Sequence, residues 1–69
     1  MLYFWSVKLS NGSFYAPDDT CGVVTVNKKV VDEATFNALI SAINKQLKKR
    51  YPDEPDVAVR CLYSFRAIP

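Results

Sequence analysis

The chain has 69 residues, of which 49% are hydrophobic and 23% are charged, and its net charge at pH 7 is +2. This length allows one domain, near the lower limit for chains that fold without disulfides, metal or oligomerisation. The aromatic content of 13% and the small net charge exclude a disordered chain. A net charge of +2 is also smaller than the basic excess that a dedicated nucleic-acid binder usually carries.

The N-terminal residues MLYFWS carry no positive charge ahead of an apolar stretch, and the chain has no run of about 20 apolar residues. A secretory signal and a membrane span are therefore not predicted, and we expect a cytoplasmic protein without membrane contact. In that reducing compartment, Cys21 and Cys61 are expected to be buried as small hydrophobic side chains. A single disulfide in an exported domain is the alternative.

Three strands are predicted before the helix. Leu2–Ser10 is rich in aromatic residues and is apolar on both of its alternating faces. Asn11-Gly12 is a strong hairpin signal because both residues tolerate positive φ, so Ser13–Ala16 is expected to be the returning strand. After turn residues at 17–20, the β-branched segment Cys21–Asn27 predicts a third strand.

The helix is the clearest element. Asp32 is a good N-cap residue, and Val31 before it is expected to pack on Phe36. Pro52 ends the helix because the residue before a proline avoids helical backbone angles. One apolar stripe has helical spacing and consists of Phe36, Leu39, Ile40, Ile43 and Leu47.

The last predicted strand, Asp56–Ile68, alternates between two kinds of side chain. The face expected to meet the helix consists of Val57, Val59, Cys61, Tyr63 and Phe65. The face expected to point outward consists of Ala58, Arg60, Leu62, Ser64 and Arg66. The predicted fold is therefore a single α+β domain in β-β-β-α-β order, with an antiparallel or mixed sheet of three to four strands and one amphipathic helix on one face.

The composition gives little indication of catalysis or of metal or phosphate binding. The sequence has no histidine, which removes the usual general base and the commonest transition-metal ligand. With only two glycines, a backbone cradle for phosphates is hard to build. The sequence predicts no catalytic residue, no cofactor or metal site, and no small-molecule substrate.

A basic patch of Lys45, Lys48, Lys49 and Arg50 crowds the end of the helix. One interpretation is a surface that contacts phosphate groups. The other is that these cations complement the negative end of the helix dipole, as Asp32 and Glu33 complement the positive end. This symmetry favours the second interpretation.

The most informative prediction concerns the face of the sheet that the helix does not cover, because one helix shields only one face of a sheet. The first strand is apolar on both faces, so one of its two sets must point away from the helix. The candidate interface is Leu2, Phe4, Tyr15, Arg60, Leu62 and Arg66. Aromatic residues beside arginines are typical of protein interfaces.

Three hypotheses follow for that face. The first is a small regulatory protein that binds a protein partner or a second copy of itself. The second is a single-stranded nucleic-acid binder, with bases stacked on the sheet aromatics and phosphates held by Lys8, Arg60 and Arg66. The third is an isolated domain whose terminal segments shield the outer aromatics.

Overall fold

The structure is a computed structural model that describes residues 1–9, 19–54 and 56–69. Its elements are β1 (Leu2–Leu9), β2 (Asp19–Thr25), α1 (Glu33–Arg50) and β3 (Val59–Ile68). In these residues the strands form one antiparallel sheet in the order β2-β1-β3, and α1 packs on one face of it. This confirms the α+β class. In the described ranges, no helix has the length and apolar character needed to cross a membrane.

The predicted β-β-β-α-β order is wrong, because the described elements follow the order β-β-α-β. The central strand β1 has a partner on each edge: Leu2–Lys8 pairs with β2, and Leu2–Leu9 pairs with β3. Among the described strands, the one that follows β1 in the chain is β2, and it pairs with β1. It begins and ends two residues earlier than the predicted strand Cys21–Asn27. The predicted turn and returning strand at 11–16 lie outside the described residues.

The core lies between α1 and the sheet. Three residues of the predicted helical stripe, Leu39, Ile43 and Leu47, are completely buried, and Ile40 packs against them. The odd-numbered residues of β1 face the helix, which settles the orientation that its sequence left open. The buried hydrophobic residues are Tyr3, Trp5, Val7, Leu9, Val24, Val26, Leu39, Ile43, Leu47 and Val57.

The start of α1 is fixed by a reciprocal cap, which confirms Asp32 as the N-cap. The Thr35 N–H donates to Asp32 Oδ1 at 2.9 Å, and Thr35 Oγ1 accepts from the Asp32 N–H at 3.0 Å. These bonds, above all the one from the Thr35 backbone, hold the pKa of Asp32 below its ordinary 3.8. The expected packing of Val31 on Phe36 is wrong: Val31 is 73% exposed, and Phe36 packs on Phe65 with 5.8 Å between ring centroids.

Two β-bulges in β3 overturn part of its predicted alternation. Ser6 pairs with Ser64 and Val7 with Leu62, so Tyr63 is an extra residue in β3. Arg60 is likewise an extra residue in β3, between the pairs Lys8–Cys61 and Leu9–Val59. An extra residue shifts the alternation by one position, so side chains beyond it change faces.

The bulges explain three errors in the expected facing of β3. Cys61 and Tyr63, expected against the helix, are exposed. Leu62, expected to point outward, is half-buried and packs against the core. Phe65 and Val59 pack against the core as predicted.

Both cysteines are exposed free thiols, so the expectation that they are buried hydrophobes is wrong. Cys21 pairs with Ser6 and Cys61 pairs with Lys8, on opposite edges of the sheet. Strands separated by one intervening strand lie about 10 Å apart, beyond the reach of a disulfide.

Candidate functional site: the outer face of the sheet

The face of the sheet opposite α1 carries the candidate site, and we call it the outer face. β1 places its even-numbered residues there, and the strand register adds their partners on both sides. Its residues are Leu2, Phe4, Ser6, Lys8, Asp19, Cys21, Val23, Thr25, Cys61, Tyr63, Ser64, Arg66 and Ile68.

Apolar surface is concentrated on this face. Leu2 is 44% exposed, Val23 is 43% exposed and Tyr63 is 53% exposed. Phe4 is half-buried and Ile68 is half-buried, both on the same face. These apolar side chains lie on one side of the sheet and are not covered by α1.

One cation–π contact organises the centre of the outer face. The Arg66 guanidinium carbon lies 5.5 Å from the centroid of the Phe4 ring, on the neighbouring position of β3. Such a contact stabilises by about 0.5–1 kcal/mol at an exposed site. It places a cation beside an aromatic ring, and arginine and aromatic residues are both enriched in protein interfaces.

A second contact crosses the whole face from β3 to β2. The Tyr63 hydroxyl donates to Asp19 Oδ1 at 2.9 Å, and Asp19 is the β2 residue paired with Lys8. The bulge makes this bond reachable, because the extra residue in β3 turns the tyrosine to the outer face. The outer face thus carries a positive half around Arg66 and a mixed half around Asp19 and Lys8.

The structure places the predicted interface residues unevenly. Leu2, Phe4 and Arg66 lie together on the outer face, as expected. Arg60 is exposed but is the unpaired residue of a bulge near the start of β3. Leu62 lies on the opposite face against the core, and Tyr15 lies outside the described residues.

Sequence reasoning missed Val23, Tyr63 and Ile68 as outer-face residues. For Val23, the alternation of Val23 with the buried Val24 was a usable signal once the faces of β2 were fixed. For Tyr63, the alternation predicted the opposite face. Ile68 was missed because it is the last residue of β3. A bulge leaves no periodic trace in a single sequence, so nothing local identified Tyr63.

The basic patch separates into two kinds of residue. Lys45, Lys48 and Lys49 are exposed on α1. The Arg50 side chain instead reaches β2, where Nη1 donates to the Cys21 carbonyl and to Thr20 Oγ1, each at 3.0 Å. Its guanidinium also stacks over the buried Trp5 ring at 5.4 Å, so this arginine ties α1 to the sheet.

In the described ranges, no group of three or more His, Cys, Asp or Glu side chains is placed to hold a metal ion. No protein-family model, curated protein or solved structure matches the chain. The outer face must therefore be interpreted from its own residues and contacts.

Proposed function

We propose that this chain is a small non-enzymatic binding protein that docks a protein partner on the outer face, and that two copies associate through the same face at high concentration. The observation that carries the proposal is the exposure of Leu2, Val23 and Tyr63 around the Phe4–Arg66 pair. Covering these side chains removes apolar surface from water, which is the main favourable term in association.

The size of the face sets the expected strength of self-association. Three strands spaced about 4.8 Å apart and about 26 Å long offer roughly 370 Å² of flat area per copy. Two copies face to face would then cover roughly 750 Å², below the approximately 1,200 Å² typical of stable complexes. Self-association is therefore expected to be weak, and a larger partner with a shaped surface would bind more tightly.

A cytoplasmic location is part of the proposal. Two exposed cysteines with free thiols support it, because such thiols persist in a reducing compartment.

Sedimentation velocity over a concentration series up to roughly 100 μM tests the proposal, because weak self-association is detected only when the protein concentration approaches the dissociation constant. The wild-type protein is expected to shift from monomer to dimer across the series. Val23→Lys places a charge on the outer face beside Phe4 and is expected to leave only monomer.

The matched control is Val31→Lys, because Val31 is the more exposed valine and lies before α1 rather than on the outer face. This variant is expected to dimerise as the wild type does. A wild-type protein that stays monomeric throughout, or an equal loss of dimer in both variants, would contradict docking through the outer face.

Single-stranded nucleic acid is the second candidate partner for the same face. Phe4 and Tyr63 offer two rings for base stacking, and Arg66 and Lys8 offer two cations for phosphates. However, Arg66 already covers Phe4, and Tyr63 is bonded to the carboxylate of Asp19, which repels phosphates. These contacts favour a protein partner.

Titration of a labelled oligothymidylate at low salt separates the two candidates. Under the protein-binding proposal, we expect no binding that depends on Phe4. Saturable binding that is lost in Phe4→Ala and retained in Lys48→Glu would replace the protein partner with a nucleic acid.

A further inference from the structure

A second surface lies on the flank of the molecule, where an open groove runs between α1 and the edge of β2 that faces away from β1. Its wider section has a volume of about 440 Å³ and its narrower section about 280 Å³. Thr25 and Ala42 line both sections, so the two sections adjoin each other, and together we call them the β2–α1 groove.

Small side chains keep this groove open. Ala34, Ala38 and Ala42 line it at intervals of four residues, and therefore lie one above the other on the helix face that looks towards β2. Larger residues at these positions would close the space between helix and strand. The helix thus offers a smooth apolar wall.

The opposite wall is the edge of β2, and among residues 1–9, 19–54 and 56–69 the side chains that bind this edge cover only part of it. Gln46 Nε2 donates to the Val23 carbonyl at 2.8 Å, and Arg50 occupies the Cys21 carbonyl. Met1 and Val26 exchange two backbone hydrogen bonds, so the backbone N–H and C=O of Val26 point towards the strand that contains β1. Because backbone groups alternate along a strand, those of Thr25 point away from β1 and into the groove.

The charges along the groove have one sign. Of the described residues that line it, the charged ones are Lys28 at one end and Lys45 and Lys49 at the other. Asp32, whose carboxylate accepts hydrogen bonds from the lining residue Thr35, is not itself a lining residue. A ligand with negative charge towards both ends would be electrostatically complementary.

We propose that the β2–α1 groove binds an extended acidic segment of a protein partner, which pairs with the β2 edge at Thr25 and places carboxylates near the lysines. The groove follows α1 from Ala34 to Lys49, about 22 Å at 1.5 Å per residue, which an extended segment of about seven residues spans. Main-chain pairing with alternate side chains in contact is an established mode of peptide recognition. The groove meets the outer face only at Thr25, and the proposal does not depend on binding at the outer face.

The probe is a fluorescein-labelled peptide of seven residues, Glu-Val-Glu-Val-Glu-Val-Glu, measured by fluorescence anisotropy at low salt. The wild-type protein is expected to bind it and to bind a Lys-Val peptide of the same length at least about tenfold more weakly, since the lysines repel the second peptide. Absence of acidic-peptide binding, or equal binding of both peptides, would overturn the proposal.

Two pairs of variants locate the site. Lys45→Glu is expected to weaken binding at least about tenfold, whereas Lys48→Glu, on the same helix but outside the groove, changes it by less than about threefold. Ala38→Trp is expected to fill the groove and abolish binding, whereas Ser41→Trp leaves it unchanged. Both replaced residues are exposed, so both tryptophan variants should fold, and far-UV circular dichroism checks this. Equal effects within either pair would overturn the assignment to the groove.

The same variants separate peptide from nucleic acid and groove from outer face. An oligothymidylate that competes fully with the acidic peptide and is insensitive to Ala38→Trp would indicate general anion binding and overturn the proposal. Val23→Lys, which blocks the outer face, is expected to leave acidic-peptide affinity within about threefold of the wild type. Loss of dimerisation with retention of peptide binding would therefore show that the two surfaces are independent.

Discussion

Both faces of β1 carry large apolar residues, and the two faces differ in how far these residues are buried. Tyr3, Trp5, Val7 and Leu9 face α1 and are at most 3% exposed. Leu2 and Phe4, which are just as apolar, face away, and Leu2 is 44% exposed. The difference shows that a large apolar side chain in this small sheet is buried only on the face that receives the single helix, and that the face without polar residues receives it.

We call the face of the sheet that packs on α1 the inner face. The largest effect is expected when a side chain at the centre of the inner face is removed. Trp5→Ala removes a completely buried side chain, which costs about 3–5 kcal/mol of folding free energy. A domain of this length has roughly 3–10 kcal/mol of total stability, so the variant should be largely unfolded or melt more than about 10 °C lower. Circular dichroism during thermal unfolding measures this.

Phe4→Ala is the control for Trp5→Ala from the other face of the same strand. It removes a half-buried ring and its contact with Arg66, and should cost about 1 kcal/mol. Equal destabilisation by the two variants would contradict the assignment of inner and outer faces.

Overpacking tests the inner face from β2. A Cβ added at Gly22 would lie 2.8 Å from Trp5 Cζ2 and 2.9 Å from Arg50 Nη2. The arginine can move aside, but the buried indole cannot, so Gly22→Ala should cost about 1–3 kcal/mol. Urea denaturation measures the loss. If Gly22→Ala is as stable as the wild type, then Trp5 does not pack on β2 as described.

The cap of α1 is expected to give a smaller, pH-dependent effect. Because the pKa of Asp32 is lowered by folding, its carboxylate stabilises the protein above pH 3.8, and this contribution is lost as the pH falls through the lower, folded-state pKa. The urea midpoint of the wild type should therefore approach that of Asp32→Asn below that pH, since asparagine caps the helix without titrating. A constant difference between the two proteins from neutral to acidic pH would show that Asp32 is not a charged cap.

The smallest effect on stability is expected at the exposed end of the outer face. Leu2→Lys replaces a side chain that α1 does not cover, and should change the free energy of unfolding by no more than about 0.5 kcal/mol. The same urea series measures it. A loss comparable to that of Gly22→Ala would mean that the outer face is covered and unavailable to a partner.

Part of the candidate site could be predicted from the sequence. Because one helix covers one face of the sheet, Leu2, Phe4 and Arg66 could be placed together on the other face, and they lie where strand alternation is regular. It failed for Leu62 and Tyr63, which lie at a bulge. The groove could not be predicted, since it depends on the distance between α1 and the edge of β2.

The sequence by itself determined the helix, its N-cap and its buried stripe, because helix periodicity and capping depend on residues within a few positions of one another. It also determined the strand character of β1 and β3. Only the tertiary structure decided which face of β1 is buried, which strand pairs with it, and where β3 carries extra residues. These are contacts between distant segments, and a pattern of alternating apolar residues is compatible with more than one such arrangement.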